Sequence, residues 1–146
     1  MKSEEDEYSI DDLKRDKKVA WFGVRNYQAR NFMRDHMVIG DKVLFYHSNG
    51  NPSAVAGVGK VVSKAYPDET QFDIKSKYYD SKSTKTNPRW TLVDIGFVKK
   101  FKSFTSIKEL RMHNELANML ILQKGSRLSI TPLSEKEFNY INKIAS

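Results

Sequence analysis

Apolar residues recur at two spacings along the 146-residue chain, and the two spacings separate helices from strands. Ala29, Phe32, Met33, His36 and Met37 fall at i, i+3, i+4, i+7 and i+8, one stripe of a helix that Asn26 caps and Ile39-Gly40-Asp41 stops. A shorter helix is expected after Ser9, with Asp11 and Asp12 against the positive end of its dipole, ending by Asp16. Ser106-Ile107-Lys108-Glu109 and Ser134-Glu135-Lys136-Glu137 are capping boxes. The first opens a short helix, and the second opens a C-terminal helix with Phe138, Ile141 and Ala145 inward. Leu116, Met119 and Leu120 predict another helical turn or two, closed by Gly125.

The remaining apolar runs are strand-like. Residues 42–48 put Val43 and Phe45 on one face and Leu44 and Tyr46 on the other, the pattern of a strand covered on both sides. Asn49-Gly50-Asn51-Pro52-Ser53 is turn chemistry, and residues 54–62 form the second arm of a hairpin. Gly57 and Gly59 share a face of that arm, where backbone or ligand can come close. Residues 66–89 are polar, lysine-rich and broken by Pro67 and Pro88, yet hold Phe72, Tyr78 and Tyr79; a loop of that length with aromatics points to function. A long strand is expected over 90–101 and a last one over 127–131, ended by Pro132. Helices interleaved with hairpin-linked strands, without repeats or a linker, predict one α+β domain over residues 1–146. Its mixed, mostly antiparallel sheet or small barrel is flanked by helices.

Charge changes this picture more than composition does. The net charge is +7, but residues 1–16 hold three Lys/Arg against seven Asp/Glu, leaving 22 against 11 in the rest. A basic body behind an acidic start fits an anionic partner such as nucleic acid, and fits equally a lysine-rich solvated surface. The chain has no cysteine, which removes disulfides, thiolate metal sites and cysteine catalysis and favours a reducing compartment, cytoplasmic or, in a eukaryote, nuclear. No apolar run nears the roughly 20 residues of a membrane span, and the acidic first seven residues lack the apolar core of a secretory signal.

Much familiar chemistry can be set aside. His36, His47 and His113 share no metal-like spacing, and His36 lies on the apolar face of its helix, where a core histidine is expected. His47 and Ser48 are adjacent on a strand and point to opposite faces, so they do not form a nucleophile and its base. Gly57-Val58-Gly59 lacks a third glycine and a following helix, and Lys124-Gly125-Ser126 has the wrong order for a phosphate loop. What remains is a set of aromatics beside hydrogen-bonding groups. Trp21, Tyr27, Tyr46, Tyr78, Tyr79 and Trp90 accompany Arg25, Asn26, Ser48, Asn49 and Arg127. Most such rings are core residues, but Trp21, Tyr78 and Tyr79 fall in irregular polar segments, as stacking platforms do. The amides of residues 24–26, at a helix N-terminus, suit an electron-rich oxygen, and Arg25 adds charge. Together these features describe a pocket for an extruded nucleotide.

Several stretches carry a more specific likeness. Trp21-Phe22-Gly23-Val24-Arg25-Asn26-Tyr27-Gln28-Ala29-Arg30-Asn31, Phe45-Tyr46-His47-Ser48-Asn49, Ala65-Tyr66-Pro67-Asp68, Thr70-Gln71-Phe72-Asp73, Tyr78-Tyr79-Asp80, Asn87-Pro88-Arg89-Trp90 and Arg127-Leu128-Ser129-Ile130 resemble the signature of the EVE-domain family. The resemblance spans nearly the whole chain. It implies a PUA-like fold, a partly open β-barrel flanked by helices and related to YTH readers of methylated adenine. It also implies a pocket for a modified nucleobase, commonly proposed to be modified cytosine in DNA, with no established catalysis. Carried onto matching positions, Ser3, Trp21, Val24, Arg25, Asn26, Ser48, Asn49 and Tyr79 line that pocket, with Trp21 as a wall and Asn26, Ser48 and Asn49 facing the base edge. Two departures stand out near the start of the chain. The family's apolar strand ahead of Met1-Lys2-Ser3-Glu4 is shortened or missing, and Glu5 replaces a family proline. An open sheet edge and a poorly held Ser3 are the expected consequences. Lys77 also replaces a family proline.

The expectation is therefore a non-catalytic module that reads a modified base, DNA ahead of RNA, and needs no cofactor, metal, membrane or obligate protein partner. Arg30, Lys75, Lys77, Lys82, Arg89 and Arg127 are assigned to the nucleic-acid backbone. The alternatives are a nucleic-acid-processing enzyme, such as a nuclease or base-removing hydrolase, and a general PUA-type RNA-binding domain.

Overall fold

Short polar side chains fix where the helices begin. In α1 (Ile10–Asp16), α3 (Ile107–Leu110) and α4 (Glu135–Ala145), Ser9, Ser106 and Ser134 accept from the third helical N–H. Asp12, Glu109 and Glu137 bond back to the caps. Asn26 starts α2 (Tyr27–Asp35) by accepting from the Ala29 N–H at 3.1 Å. The computed structural model describes residues 1–49, 52–123 and 128–146. Gly50 and Asn51 of the expected hairpin turn, the Gly125 stop and Arg127 lie outside the described residues.

Five strands make one curled mixed sheet, a half-barrel, in the order β1 (Lys2–Glu4), β3 (Lys42–Ser48), β4 (Ala54–Val61), β7 (Asp94–Ser106), β2 (Lys18–Ala20). All neighbours are antiparallel except β1, which runs parallel to β3. Register shifts at Phe45/Tyr46, Val55/Gly57 and Val58/Gly59 bend the sheet, as bulges do. A Cβ on Gly57 would lie 2.4 Å from the Lys99 carbonyl oxygen, so the close approach foreseen at this glycine is by backbone rather than ligand. A separate ribbon pairs β5 (Tyr66–Pro67) with β6 (Thr91–Leu92).

Both faces of β3 are covered, as its pattern requires. Phe45 joins a core with Ile10, Leu13, Ala29, Met33 and Ile95, whereas Leu44 joins another with Phe101, Leu110, Leu116 and Ile141. α2 is thereby anchored to the core through Ala29 and Met33.

Several elements differ from expectation. The strand foreseen over 90–101 is divided, with Trp90 outside it, β6 turned to β5, and β7 running on to Ser106 because Ala54 and Val55 still pair with Ser106 and Thr105. The helical turns foreseen near Leu116 and Leu120 do form, as 3-10 turns. No strand forms over 128–131; that segment gives β1 one bond, from the Lys2 N–H to the Ser129 carbonyl at 2.8 Å. His36 is exposed, because α2 ends a residue earlier and His36 becomes its C-cap. The buried histidine is His47 instead. β1 does form, and the Tyr46 N–H donates to the Met1 carbonyl at 2.9 Å. Beyond it, the edge of β3 at Lys42 and Val43 borders an apolar cleft of about 580 Å³ lined by Phe32, Met37, Ile130 and Phe138.

Candidate functional site

A second cleft, of about 470 Å³, opens where β1, the end of β2 and the tip of β3 converge. Ser3, Trp21, Val24, Arg25 and Ser48 line it together, so five of the eight expected pocket residues do meet. Trp21 continues β2 by one bond, from its N–H to the Val93 carbonyl at 3.0 Å, and its ring meets Phe45 edge-on at 5.6 Å. One side of the indole is thus tied to the core while the residue stays partly exposed. The Ser3 hydroxyl donates to the Tyr8 carbonyl at 2.7 Å, which secures the turn from β1 to α1 and leaves the oxygen able to accept.

After Trp21 the backbone turns through Gly23, at φ +87°, a conformation that side chains other than glycine's rarely adopt. A Cβ there would stand 2.7 Å from the Tyr78 ring. The Gly23 N–H donates to Asp68 Oδ2 at 2.8 Å. Asp68 is fully buried, and it also accepts from the Thr70 N–H, the Thr70 hydroxyl and the Arg25 guanidinium. Burial alone would raise its carboxyl pKa; the hydrogen bonds from Gly23, Thr70 and Arg25 outweigh it and hold the carboxyl below the ordinary range.

Arg25 does not offer a free cation. Its guanidinium donates to the carbonyls of Tyr78 and Val24, to Thr70 Oγ1 and, at 3.1 Å, to Asp68. It fastens the 66–80 segment to the Trp21 turn and so builds a cleft wall. Gln71, also fully buried, completes the brace: its Nε2 donates to the carbonyls of Asp68 and Trp90, and its Oε1 accepts from the N–H groups of Arg89 and Trp90. All four hydrogen-bonding positions of that amide are used.

Asn26, Asn49 and Tyr79 are not among the described residues that line the cleft. Asn26 is spent on capping α2. Asn49, in the left-handed region at φ +57°, donates to Glu4 Oε1 at 2.6 Å. Tyr79 is exposed, and its neighbour Tyr78, in the turn closed by the bond from the Tyr79 N–H to the Ser76 carbonyl, takes the lining position. Of the backbone-binding set, Arg30 lies over the Tyr27 ring at 4.6 Å and donates to the Arg89 carbonyl, and Arg89 approaches the Tyr27 hydroxyl at 3.5 Å. Lys75 and Lys82 are exposed, and Lys77 stands 3.7 Å from Glu7 and over the Tyr78 ring. Tyr8, Phe22 and Ser129 line the cleft without having been expected there, and Tyr78 lines it as a stacking aromatic of the polar 66–89 segment, though not among the eight residues carried over from the family. The available signal was local: Phe22 lies inside the motif that holds Trp21, and Tyr78 beside Tyr79.

The EVE domain family matches residues 1–144. The chain belongs to that family. Thymocyte nuclear protein 1 of Gallus gallus is 44% identical to this EVE domain over 144 residues, 92% of the chain and 59% of the relative. The Homo sapiens protein of that name is 42% identical, over 92% and 63%. This EVE domain therefore spans about three-fifths of the length of the curated relatives it matches. A crystal structure of a Pseudomonas syringae protein superposes with TM-score 0.95 at 45% identity, covering 100% of this chain and 97% of that one. Human THYN1 in complex with DNA containing 5-methylcytosine superposes with TM-score 0.90 at 40% identity, covering 99% and 95%.

Proposed function

We propose that this EVE domain is a non-catalytic nucleic-acid-binding module that takes a modified base, a 5-methylated cytosine in DNA, into the Trp21 cleft. The observation that carries this is its likeness, over 99% of the chain, to the human protein solved with 5-methylcytosine-containing DNA. The cleft supports it chemically. Trp21 offers an aromatic wall, the Ser3 and Ser48 hydroxyls lie along the β1 and β3 side, and basic residues dominate the chain beyond residue 16. A binding role also fits Asp68, the buried carboxylate that braces the cleft wall through Gly23 and Arg25, because its hydrogen bonds and ion pair consume the lone pairs a general base would need.

The test is competition at fixed salt between oligonucleotides identical except for one cytosine methyl group. Burying one methyl contributes about 0.8 kcal/mol, so a preference of about fourfold for the methylated strand is expected. Equal affinities would leave a general nucleic-acid binder, tighter binding of the matching RNA would move the target to RNA, and any cleaved product would make the protein an enzyme.

A further inference from the structure

Among the described residues, Phe22 is the one large apolar side chain at the cleft that is half exposed, at 50%, and it belongs to neither described core. Its position follows from the local backbone. The Phe22 N–H donates to the Ala20 carbonyl at 3.0 Å, a tight turn directly after β2, and Trp21 goes inward against Phe45. Phe22 is left at the lip, edge-on to Tyr78 at 5.8 Å between centroids and 71° between planes. Lys77 holds its ammonium 5.1 Å from the Tyr78 ring centre. The lip is thus an aromatic pair with a cation beside it, the combination used to hold unstacked bases and the phosphates between them.

We infer that Phe22 is a second base-contacting residue: the nucleobase adjacent to the one in the cleft packs on it. This rests on the proposal that a base occupies the Trp21 cleft. A base drawn out of its stack leaves its neighbour with a bare face, and Phe22 is positioned to cover that face as the strand crosses the lip. Trp21 then selects the base, whereas Phe22 contributes affinity for any flanking base, since every base has a face to stack.

The experiment compares wild type, Phe22→Ala and Phe22→Trp in equilibrium binding to three probes: free 5-methyl-2′-deoxycytidine, a single-stranded oligonucleotide with one central 5-methylcytosine, and the same oligonucleotide with abasic positions on both sides of it. Phe22→Ala is expected to weaken the intact oligonucleotide about tenfold and the free nucleoside by much less, since Phe22 stands at the lip of the cleft it lines. On the abasic-flanked strand, wild type and Phe22→Ala should bind alike, and Phe22→Trp should keep wild-type affinity for the intact strand. Unchanged affinity of Phe22→Ala for the intact strand overturns the inference. An equal loss on the nucleoside also does, because the contact would then be to the base in the cleft rather than to its neighbour. If wild type fails to prefer methylated over plain cytosine, it is the modified-base proposal that falls; the same comparison on the unmethylated strand still decides Phe22.

Discussion

Gly23 and Trp21 show how single residues shape the cleft. Gly23→Ala would force a Cβ into a backbone at φ +87° and within 2.7 Å of Tyr78, whereas Gly40→Ala, at φ +97°, meets nothing within 4 Å. Both pay the left-handed penalty of roughly 1–2 kcal/mol, but only the first displaces a ring that lines the cleft. Urea denaturation should therefore show the larger loss for Gly23→Ala, and that variant alone should bind oligonucleotide more weakly. Equal losses would mean that Tyr78 moves aside freely. Trp21→Ala should cost about 1–3 kcal/mol of binding from lost stacking. The edge contact with Phe45 means that stability falls too, by the roughly 0.5–1.5 kcal/mol of an aromatic pair or somewhat more. A folded Trp21→Ala protein with unchanged affinity would remove Trp21 from the site. Trp21 and Ser48 were legible as cleft-lining residues because each lies inside a local motif, whereas Ser3 was reached only through the family resemblance. Arg25 was legible as a cation but not as a clamp: its partners Asp68, Thr70 and Tyr78 lie 43 to 53 residues away and come together only in the fold.

Elements that carry their own signals were legible from the pattern alone. The capping boxes at Ser106 and Ser134 and the Ala29/Met33 stripe of α2 each fix a helix without help from the rest of the chain. The division of β6 from β7 was not legible, because it depends on a buried glutamine, Gln71, drawing Trp90 away from the sheet. α1 hides another tertiary dependence. The N–H of Ile10, its first residue, donates to Nε2 of His47 on β3 at 3.0 Å, so this helix start is capped by a titratable ring. His47 is 2% exposed, and burial pushes its pKa below the ordinary 6.5, against Glu5, Asp11 and Asp12, which raise it; Lys100 also lowers it. The native state therefore keeps the ring neutral where the unfolded chain takes up a proton. This contribution is fully present above pH 6.5 and is lost as the pH falls through and below that value. The slope approaches about 1.4 kcal/mol per pH unit until the folded ring itself titrates. Urea unfolding of wild type and His47→Gln between pH 7.5 and 5.5 checks this: wild type should lose more stability than the variant, and parallel losses would assign the acid sensitivity to other groups.

Charge and cleft chemistry separate at the scale of the whole molecule. The acidic stretch supplies Glu4 and Glu7 to one side of the cleft, and the excess of Lys and Arg is carried by the remainder, including the exposed Lys75 and Lys82. Contacts with phosphates release counterions, and each lowers the slope of log K against log salt by about 0.9 on duplex DNA. Burial of a methyl group beside Trp21 releases none. Affinity for plain and methylated duplexes should therefore fall together between about 50 and 200 mM salt, while their ratio stays constant. Fluorescence anisotropy titrations at several salt concentrations test both halves of the claim. Lys75→Gln and Lys82→Gln should each make the slope shallower by about 0.9 if that lysine meets a phosphate, without changing the ratio. A ratio that collapses with salt would mean that discrimination is electrostatic. The methyl group would then be sensed through the shape or charge of the DNA rather than inside the cleft, and Trp21→Ala should leave the ratio intact.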